Sequence, residues 1–384
     1  MHIVHVTPHL PPDQAANALL PWQLGEWARS AGDTVEYVAH PPRTAAVAPA
    51  PLAGGATWVP RRTDSFFDRG LRLGSLTGAY RVRQAMAGPL QRADLVHVHS
   101  NGLLPELGVL LARRAGKPVV LTLYGTEIWH YRPRKRAIDL FTRAYMAASA
   151  VTFYSARLLS RAHEVRLARR DLHVVYPPVP PAFAWHDREA QAQARVDLRV
   201  PQRHLLLNVK RLHPLAGQRY LIEAMTDVVR SHPDTRLVIC GSGALLDELK
   251  GVARSAGVER HVLFPGLLDN ATIARYCAAA DLFVLPSLLE ALPTVAVEAL
   301  ASGTPVLSSD NPGGLELNDL FGPDVSIVPR EQPIPLGAAI TRFLDDKRRT
   351  LPSTRDIVER TFRPEAVAAQ YLEIYERARA EAAA

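Results

Sequence analysis

Short apolar runs that alternate with helical patterns constrain the fold of this chain more than any other feature. Six runs lie in the first half and six in the second: 2–7, 34–39, 95–100, 118–125, 150–155 and 173–178, then 205–212, 236–243, 261–268, 282–287, 304–309 and 325–329. Such runs are typical of strands buried in a parallel sheet. Strands that alternate with helices form α/β domains, whose ligands bind at the carboxyl ends of the strands. We therefore predict two α/β domains, each with a parallel sheet.

The length of the chain also predicts more than one domain. Its 384 residues exceed what a single hydrophobic core usually supports. The proline-rich segment 177–181 cannot be helix or central strand, so it marks the junction. We predict a first domain of residues 1–183, a second of 184–360 and a final segment 361–384. Within it, a helix over 364–383 is indicated by the apolar positions Val367, Tyr371, Ile374 and Tyr375. Residues 39–65, rich in proline and alanine, predict a long variable loop.

The segment 286–316 contains the clearest candidate for a ligand site. Glu290 follows an apolar run, Pro293 marks the start of a helix that contains Glu298, and Gly303 marks its end. A helix over the whole interval would separate the two glutamates by about 12 Å, a distance that suits one carboxylate for a sugar and one for a ribose. The N–H groups of the helix N-terminus suit a diphosphate.

This segment resembles the family 4 glycosyltransferases. The resemblance rests on the spacing Glu290-x7-Glu298, the run Glu-Ala-x-Ala-x-Gly-x-Pro-Val and the sequence Gly313-Gly314-x-Glu316. It implies the GT-B fold, an α/β fold with two Rossmann-like parallel-sheet domains facing across a cleft, and a final helix that crosses back to the N-terminal domain. It also implies a retaining transfer of sugar from a nucleotide-diphosphate sugar to a hydroxyl, with no metal or other cofactor. The alternative is a plain crossover helix with Glu298 in solvent.

The resemblance implies a donor site in the second domain. Glu290 would orient the transferred sugar, Glu298 would bind the ribose, and Arg211 would neutralise the diphosphate. The family has a second phosphate cation where this chain has Ala216, and Lys210 either replaces it or is a surface charge. Backbone close to the diphosphate or base, and the start of the helix, complete the predicted site: Gly241, Ser242, Gly243, Leu268, Leu292, Thr294 and Val295.

The first domain departs further from the family pattern. Family members carry a Gly-Gly turn after the first strand, whereas this chain has Ala15 and Ala16, which disfavour positive φ, so the loop takes another path. Ala16 and Asn17 are nevertheless expected on the sugar or acceptor side. The sequence 124–127 matches the family's His-Gly-Thr-Asp with Tyr124 in place of the active-site histidine.

Tyrosine is a poor base at neutral pH, but Tyr124 can donate a hydrogen bond to the sugar or acceptor. The alternative is that it only caps a strand. Glu127 is placed on the acceptor side with it. His97 and His99 share a strand face, where structural histidines are commoner, and His99 is the better candidate because it lies nearer the carboxyl end.

The resemblance to the family, with no well-placed carboxylate nucleophile evident in the sequence, implies same-face attack in which the leaving phosphate takes the acceptor's proton. Two enzymatic alternatives are a GT-B sugar-nucleotide epimerase and a hydrolase. A third alternative is a catalytically weak protein that binds sugar nucleotides or a membrane surface, and four departures from the family favour it: Ala15, Ala16, Tyr124 and Ala216. The intact Arg211, Glu290 and Glu298 favour a transferase.

Positive charge is concentrated in residues 111–170. This stretch holds thirteen Lys or Arg and three acids, a net charge of +10 in a chain of +7. Three explanations remain open: contact with an anionic membrane that carries a lipid-linked acceptor, an anionic soluble acceptor, or solvated helix faces. No nucleic-acid motif accompanies the charge, so nucleic acid is not expected. The cluster that would meet a membrane is Arg132, Arg134, Lys135 and Arg136.

Cys240 and Cys277, the two cysteines, lie in apolar surroundings and suggest a reducing compartment without disulfides. No apolar run approaches the roughly 20 residues of a membrane span, and the chain opens into a strand rather than a signal peptide. We expect a bacterial, cytoplasmic protein, with peripheral contact at the inner face of the plasma membrane as an extension. The acceptor stays open among a glycan, a lipid-linked molecule and a small natural product.

Overall fold

A computed structural model describes residues 1–13, 16–43, 55–61, 73–132, 139–169 and 171–383. The chain divides into two compact units. The first comprises Met1–Tyr176 together with Val367–Ala384, and the second comprises Pro177–Ala366. The second unit begins at the first residue of the proline-rich segment. The domain limits predicted from the sequence stay predictions.

The first unit contains a parallel sheet of seven strands in the order β3-β2-β1-β4-β5-β6-β7. The strands are β1 (His2–Thr7), β2 (Thr34–Ala39), β3 (Ala56–Trp58), β4 (Leu95–His99), β5 (Val119–Leu123), β6 (Ala150–Phe153) and β7 (Leu172–Val174). Because the chain runs outward from β1 on one side and returns to β4 on the other, β1 and β4 form the topological switch point.

The helices of the first unit cover both faces of this sheet. They are α1 (Ala16–Ser30), α2 (Leu73–Arg92), α3 (Leu103–Arg114), α4 (Thr126–Trp129), α5 (Leu140–Ala147) and α6 (Ala156–Glu164). Alternate residues of β1 face opposite sides, so Val4 and Val6 enter one buried cluster and Ile3 the other. Burial on both faces explains why these strands read as continuous apolar runs.

The second unit contains a parallel sheet of six strands in the order β10-β9-β8-β11-β12-β13. The strands are β8 (His204–Val209), β9 (Thr235–Cys240), β10 (Val262–Gly266), β11 (Leu282–Leu285), β12 (Val306–Ser309) and β13 (Val325–Val328). Its helices are α7 (Arg188–Asp197), α8 (Gln218–Ser231), α9 (Leu246–Ser255), α10 (Asn270–Ala279), α11 (Thr294–Ala301), α12 (Pro312–Phe321), α13 (Pro333–Asp345) and α14 (Pro352–Thr361). The switch point of this sheet lies between β8 and β11.

The final helix, α15 (Pro364–Ala383), follows the bounds read from the sequence. Its residues Val367, Tyr371 and Tyr375 are buried with Ile3 in the core of the first unit. The apolar positions that identified this helix are therefore the positions that it buries.

One prediction about local structure was wrong. Part of the predicted loop 39–65 forms β3, which pairs with β2 through Tyr37 and Ala56; a strand of three half-buried residues leaves little apolar pattern. The helix start predicted at Pro293 is confirmed, because α11 begins directly after it. The interval from Glu290 is therefore not helical throughout, and the separation of about 12 Å estimated for a continuous helix does not apply.

Candidate functional site

The loops that follow β8 and β11 meet at the switch point of the second sheet. The N–H of Leu288 donates to the carbonyl of Leu215 at 2.8 Å. Gly217, at φ 67°, packs so closely that an added Cβ would lie 2.1 Å from the carbonyl oxygen of Pro286. Only glycine fits both the conformation and the space, so this contact fixes the two loops against each other.

An ion pair joins the two loops. The ammonium of Lys210, directly after β8, lies 2.5 Å from Oε1 of Glu290, in the loop after β11. The contact is not aligned as a hydrogen bond, so it is electrostatic. The side chains are 29% and 11% exposed, which leaves the ammonium open to solvent on one side. Two residues predicted independently for the donor site are thus in contact.

The Gly-Ser-Gly turn after β9 supports the β8 loop. The N–H of Leu212 donates to the carbonyl of Ser242 at 3.0 Å. An added Cβ at Gly241 would lie 2.1 Å from the Lys210 carbonyl, and one at Gly243 the same distance from the Leu212 carbonyl. Both glycines are therefore required for the loop that carries Lys210, while Ser242 stays exposed.

Arg211 and Lys210 are consecutive cations at the end of β8. The Arg211 side chain is exposed, and its guanidinium pairs with no residue in the described part of the chain. Ala216, which stands where the family cation was expected, is only 2% exposed within a short 3-10 turn. The loop after β8 therefore supplies two consecutive cations, Lys210 and Arg211, and Ala216 supplies none.

Glu298 lies half-buried on α11. Burial raises its pKa to about 7, and its carboxylate has no hydrogen bond or ion pair among the residues that the structure describes. Burial also raises the pKa of the neighbouring Cys277 thiol, and the charge of Glu298 adds to that effect. A half-buried carboxyl group with a raised pKa and no partner among the described residues is a feature of binding and catalytic sites.

The start of α11 and the glycine pair lie on either side of Glu290. Pro293 precedes the helix and no side chain caps it, so the first N–H groups, those of Thr294 and Val295 among them, lack intrahelical partners. The N–H of Gly313 donates to the Glu290 carbonyl at 3.1 Å. An added Cβ at Gly313 would lie 2.7 Å from Cβ of Glu290, which explains the glycine.

The last two predicted donor positions lie in the loops after β10 and β11. Leu268 is half-buried beside the exposed Leu267, and Leu292 is buried. The N–H of Gly241 donates to the Gly266 carbonyl at 2.8 Å, which joins the end of β10 to the Gly-Ser-Gly turn. All predicted donor positions therefore lie at or near one edge of the sheet, and their roles stay predictions.

In the first unit, the Tyr124 hydroxyl is directed inward. It lies 2.8 Å from Nδ1 of the buried His99, whose Nε2 is 3.0 Å from Nδ1 of His5. Burial, and then the neighbouring Tyr154, raise the pKa of Tyr124 well above 10, while burial lowers the pKa of His99 well below 6.5. The predicted hydrogen bond from Tyr124 to the sugar or acceptor stays a prediction, with His99 as a competing partner.

His97 belongs to a hydrogen-bonded network with the final helix. Its Nδ1 lies 2.7 Å from the Tyr375 hydroxyl and its Nε2 lies 2.7 Å from Oγ1 of Thr122. One ring nitrogen from each of His5, His97 and His99 lies within 4.8 Å of the other two. The ring centroids of His97 and His99 lie 4.0 Å apart with the rings tilted by 35°, and both rings hydrogen-bond to hydroxyls, an arrangement that stabilises the core.

Glu127 holds two turns of the first unit together. Its Oε1 accepts from the Ser100 hydroxyl at 2.7 Å and its Oε2 accepts from the Gly125 N–H at 2.8 Å. Ser100 and Gly125 both have positive φ, 69° and 152°. Both carboxylate oxygens of Glu127 are thus hydrogen-bonded within the first unit. Glu127 would therefore influence an acceptor indirectly, by positioning these two turns.

A polar cavity of about 400 Å³ lies beside these turns. Burial raises the pKa of Glu106, one of its lining residues. Arg132 and His130 also line it, together with the carboxylates of Glu127 and Asp139. The other cations of the predicted basic cluster, Arg134, Lys135 and Arg136, lie outside the described residues.

Sequence reasoning missed a pair in the loop after β1. Nδ1 of His9 lies 2.8 Å from Oδ2 of Asp13. Asn17, predicted nearby, accepts a hydrogen bond at its carbonyl from the Thr7 hydroxyl. Ala16 begins α1, and its side chain lies outside the described part, as does the whole of Ala15. The available signal was a His-x3-Asp spacing directly after a buried strand.

Two further structural observations bear on the sequence predictions. Cys240 and Cys277 are free and buried. Within the described ranges, no helix has the length and apolarity needed to cross a membrane.

Comparisons with known proteins cover most of the chain. Residues 22–183 match the family model described as Glycosyltransferase Family 4, and residues 190–362 match the one described as Glycosyl transferases group 1. A GDP-mannose-dependent alpha-(1-6)-phosphatidylinositol monomannoside mannosyltransferase of Mycolicibacterium smegmatis is 31% identical over 62% of this chain; the match spans 64% of that relative. A D-inositol 3-phosphate glycosyltransferase of Jonesia denitrificans is 30% identical over 75% of this chain and 73% of its own length.

Solved structures share the whole architecture. The structure of Anabaena HepE in complex with UDP superposes with a TM-score of 0.76, covering 98% of this chain and all of that one, at 19% identity. This likeness confirms the predicted fold class, an α/β fold with two Rossmann-like parallel-sheet domains.

Proposed function

Because the chain belongs to glycosyltransferase family 4, we propose that it transfers a sugar from a nucleotide-diphosphate sugar to a hydroxyl group of an acceptor. One observation carries the proposal: Lys210 contacts Glu290 at the switch point of the second sheet, where α/β proteins bind their ligands, and Arg211 follows Lys210 in the chain. A cation and a carboxylate in contact suit a substrate that is anionic at one end and rich in hydroxyls at the other.

Each group of this site suits one part of the donor. Arg211 and Lys210 bind the diphosphate, since charge-assisted hydrogen bonds are about twice as strong as neutral ones. The N–H groups at the start of α11 add to that stabilisation as the diphosphate leaves. Glu298 accepts hydrogen bonds from the ribose hydroxyls, and Glu290 does so from the transferred sugar.

The proposed reaction retains the configuration of the sugar by attack on the face from which the diphosphate leaves. It uses no metal, because the two cations and the helix N-terminus supply the positive potential at the leaving group. The proposal that it is metal-independent is checked by activity in the presence of a chelator.

The relatives narrow the donors and acceptors that we propose to test. One is named as GDP-mannose-dependent, one as acting on D-inositol 3-phosphate, and HepE was solved with UDP. We therefore propose a UDP or GDP sugar as donor and a polyol, glycan or lipid-linked hydroxyl as acceptor. We further propose a cytoplasmic location with peripheral contact to the inner membrane face.

The test is a thermal-shift screen of the full chain against UDP, GDP, ADP and dTDP sugars. A ligand at about 100 times its Kd stabilises the folded protein by about 2.7 kcal/mol, which raises the melting temperature. We expect a shift with at least one donor and its loss in Arg211→Ala. A chain that shifts with none of them is not a sugar-nucleotide enzyme. Release of nucleoside diphosphate then separates a transferase from a protein that only binds.

A further inference from the structure

Side chains that follow β12 and β13 hold the backbone of the loop that carries Glu290. The carbonyl of Ser287, where this loop leaves β11, accepts from Nδ2 of Asn311 at 3.0 Å. The next carbonyl, that of Leu288, accepts from Nη1 of Arg330 at 3.2 Å. The backbone just before Glu290 is therefore held by residues from two neighbouring strand ends of the second sheet.

Arg330 is itself fixed by Asp310, which directly follows β12. Oδ1 of Asp310 accepts from the backbone N–H of Arg330 at 3.0 Å and from its Nε at 2.9 Å. Because Nε bonds to Asp310 and Nη1 bonds to Leu288, the guanidinium connects the end of β12 to the loop after β11. A planar guanidinium keeps its donors in a fixed geometry. The position of Asp310 therefore helps to set the position of the Leu288 carbonyl.

The turn that presents Arg330 is bonded to a third element. Glu331, the next residue, has φ 60°, a conformation that is uncommon for residues other than glycine. Its Oε1 accepts from the hydroxyl of Tyr220 on α8 at 2.9 Å. The turn after β13 is thus bonded both to the loop of Glu290 and to the helix that follows the loop of Lys210.

This anchor matters because the contact of Glu290 with Lys210 does not by itself fix the carboxylate. The Lys210 ammonium lies 2.5 Å from Oε1 of Glu290, but this oxygen accepts no hydrogen bond from the residues that the structure describes. A purely electrostatic contact lacks the directional preference of a hydrogen bond. The direction of the side chain therefore depends on the backbone, which the Gly313 N–H holds at the Glu290 carbonyl at 3.1 Å and Arg330 holds two residues earlier.

We propose that Arg330 is a positioning residue for sugar transfer, because its bond to the Leu288 carbonyl keeps Glu290 where it contacts the transferred sugar. The inference rests on the proposed transferase function, in which Glu290 accepts hydrogen bonds from that sugar. Arg330 acts on the loop rather than on the nucleotide, so its loss should slow transfer without weakening nucleotide binding. Its side chain is 44% exposed and that of Asp310 is 42% exposed, and exposed ion pairs contribute little to folding stability. The fold should therefore survive the replacement of Arg330.

The first test compares Arg330→Ala with Arg230→Ala as the matched control. Arg230 pairs with Asp227 at the same distance, 2.9 Å, and both are exposed on α8. Release of nucleoside diphosphate is measured with GDP-mannose or UDP-glucose, each with D-inositol 3-phosphate or water as acceptor. A displacement of 1 Å can cost about 10²-fold, so the smaller displacement in Arg330→Ala should lower kcat about tenfold with unchanged Kd for GDP and UDP. A kcat equal to that of wild type, or a loss that follows a loss of nucleotide affinity, would overturn the proposal.

A double-mutant cycle with Glu290→Gln shows whether Arg330 acts through Glu290. Residues that act through one contact have non-additive effects. Arg330→Ala should therefore lower kcat about tenfold in the wild-type background and have almost no effect in the Glu290→Gln background. Equal losses in both backgrounds would show that Arg330 acts by another route and would refute its positioning role.

Hydrogen exchange of the full chain, followed by NMR, tests the anchor without turnover. The N–H of Leu288 donates to the Leu215 carbonyl at 2.8 Å, and the N–H of Gly313 donates to the Glu290 carbonyl. Both should exchange about fivefold faster or more in Arg330→Ala, and at the wild-type rate in Arg230→Ala. Unchanged rates in Arg330→Ala would contradict the proposal. A wild-type chain that binds no UDP or GDP sugar refutes the proposed function separately, and the exchange rates then still decide whether Arg330 holds the loop.

Discussion

Replacing Glu298 by glutamine should stabilise the unliganded protein increasingly as pH rises. Burial raises the pKa of this carboxyl group from 4.5 to about 7, so the folded state holds its proton more tightly than the unfolded state. Each pKa unit corresponds to about 1.36 kcal/mol. Ionised Glu298 therefore lowers the unfolding free energy by about 3 kcal/mol once pH is well above 7.

The sign and the pH window follow from these two values. Stability is lost as pH rises from the ordinary pKa, 4.5, through the folded value of about 7, and the full loss is present above it. Between about pH 5.5 and about pH 8.5, some 2 kcal/mol of the difference between wild type and Glu298→Gln should develop.

Urea unfolding at both pH values measures this difference, with Glu248→Gln as the control. Glu248 is exposed on α9, and its replacement should change stability equally at the two pH values. If the unfolding free energies of Glu298→Gln and wild type differ by the same amount at both pH values, the carboxyl group of Glu298 does not titrate as the structure implies.

Nucleotide affinity should depend on pH in the opposite sense, because ionised Glu298 destabilises the unliganded protein but favours nucleotide binding. Ribose hydroxyls donate more strongly to a carboxylate than to a neutral acid. The affinity for UDP or GDP should therefore rise as pH passes through about 7. Glu298→Gln should lack this rise. Titration of the nucleotide phosphates affects the affinity of both proteins equally, so it cancels when the two are compared. An identical pH dependence in both would refute a ribose contact.

Three further outcomes are expected. Lys210→Ala should weaken UDP or GDP binding by about tenfold or more in calorimetry, and Ala216→Lys should restore part of it only in that variant; equal affinity would exclude Lys210 from the phosphate site. Gly313→Ala should displace Glu290 and lower turnover at least tenfold, whereas Gly251→Ala in helix α9 should leave it unchanged. Co-sedimentation with anionic vesicles at low salt should be lost, with nucleotide affinity kept, when serine replaces four cations: Arg132, Arg134, Lys135 and Arg136.

The sequence predicted the sheets well because buried parallel strands read as uninterrupted apolar runs. The strand β1 and the helix α15 have the bounds that the pattern indicated. β3 was missed because its three residues are only half-buried and lie in a proline- and alanine-rich stretch. Local pattern therefore sufficed where an element is long and buried.

The contacts of the candidate site were much harder to predict. Lys210 and Glu290 follow β8 and β11, which are adjacent only because the strand order reverses between them. The inward hydroxyl of Tyr124 depends on His99 in the neighbouring strand. The contact between His9 and Asp13 depends on the path of their loop. Residue types at motif positions predicted where the candidate site lies, but only the fold shows which of its residues contact each other.

The central claim, a nucleotide-diphosphate site at the switch point of the second sheet, is tested most directly by calorimetric titration of wild type and Arg211→Ala with UDP and GDP. Arg219→Ala is the control, because Arg219 is exposed on α8 and already pairs with Glu223 at 2.8 Å. A lost charged hydrogen bond costs about 1.5–3 kcal/mol, so Arg211→Ala should bind at least tenfold more weakly while Arg219→Ala matches wild type. Equal affinities in all three proteins, or no binding by wild type, would contradict the account.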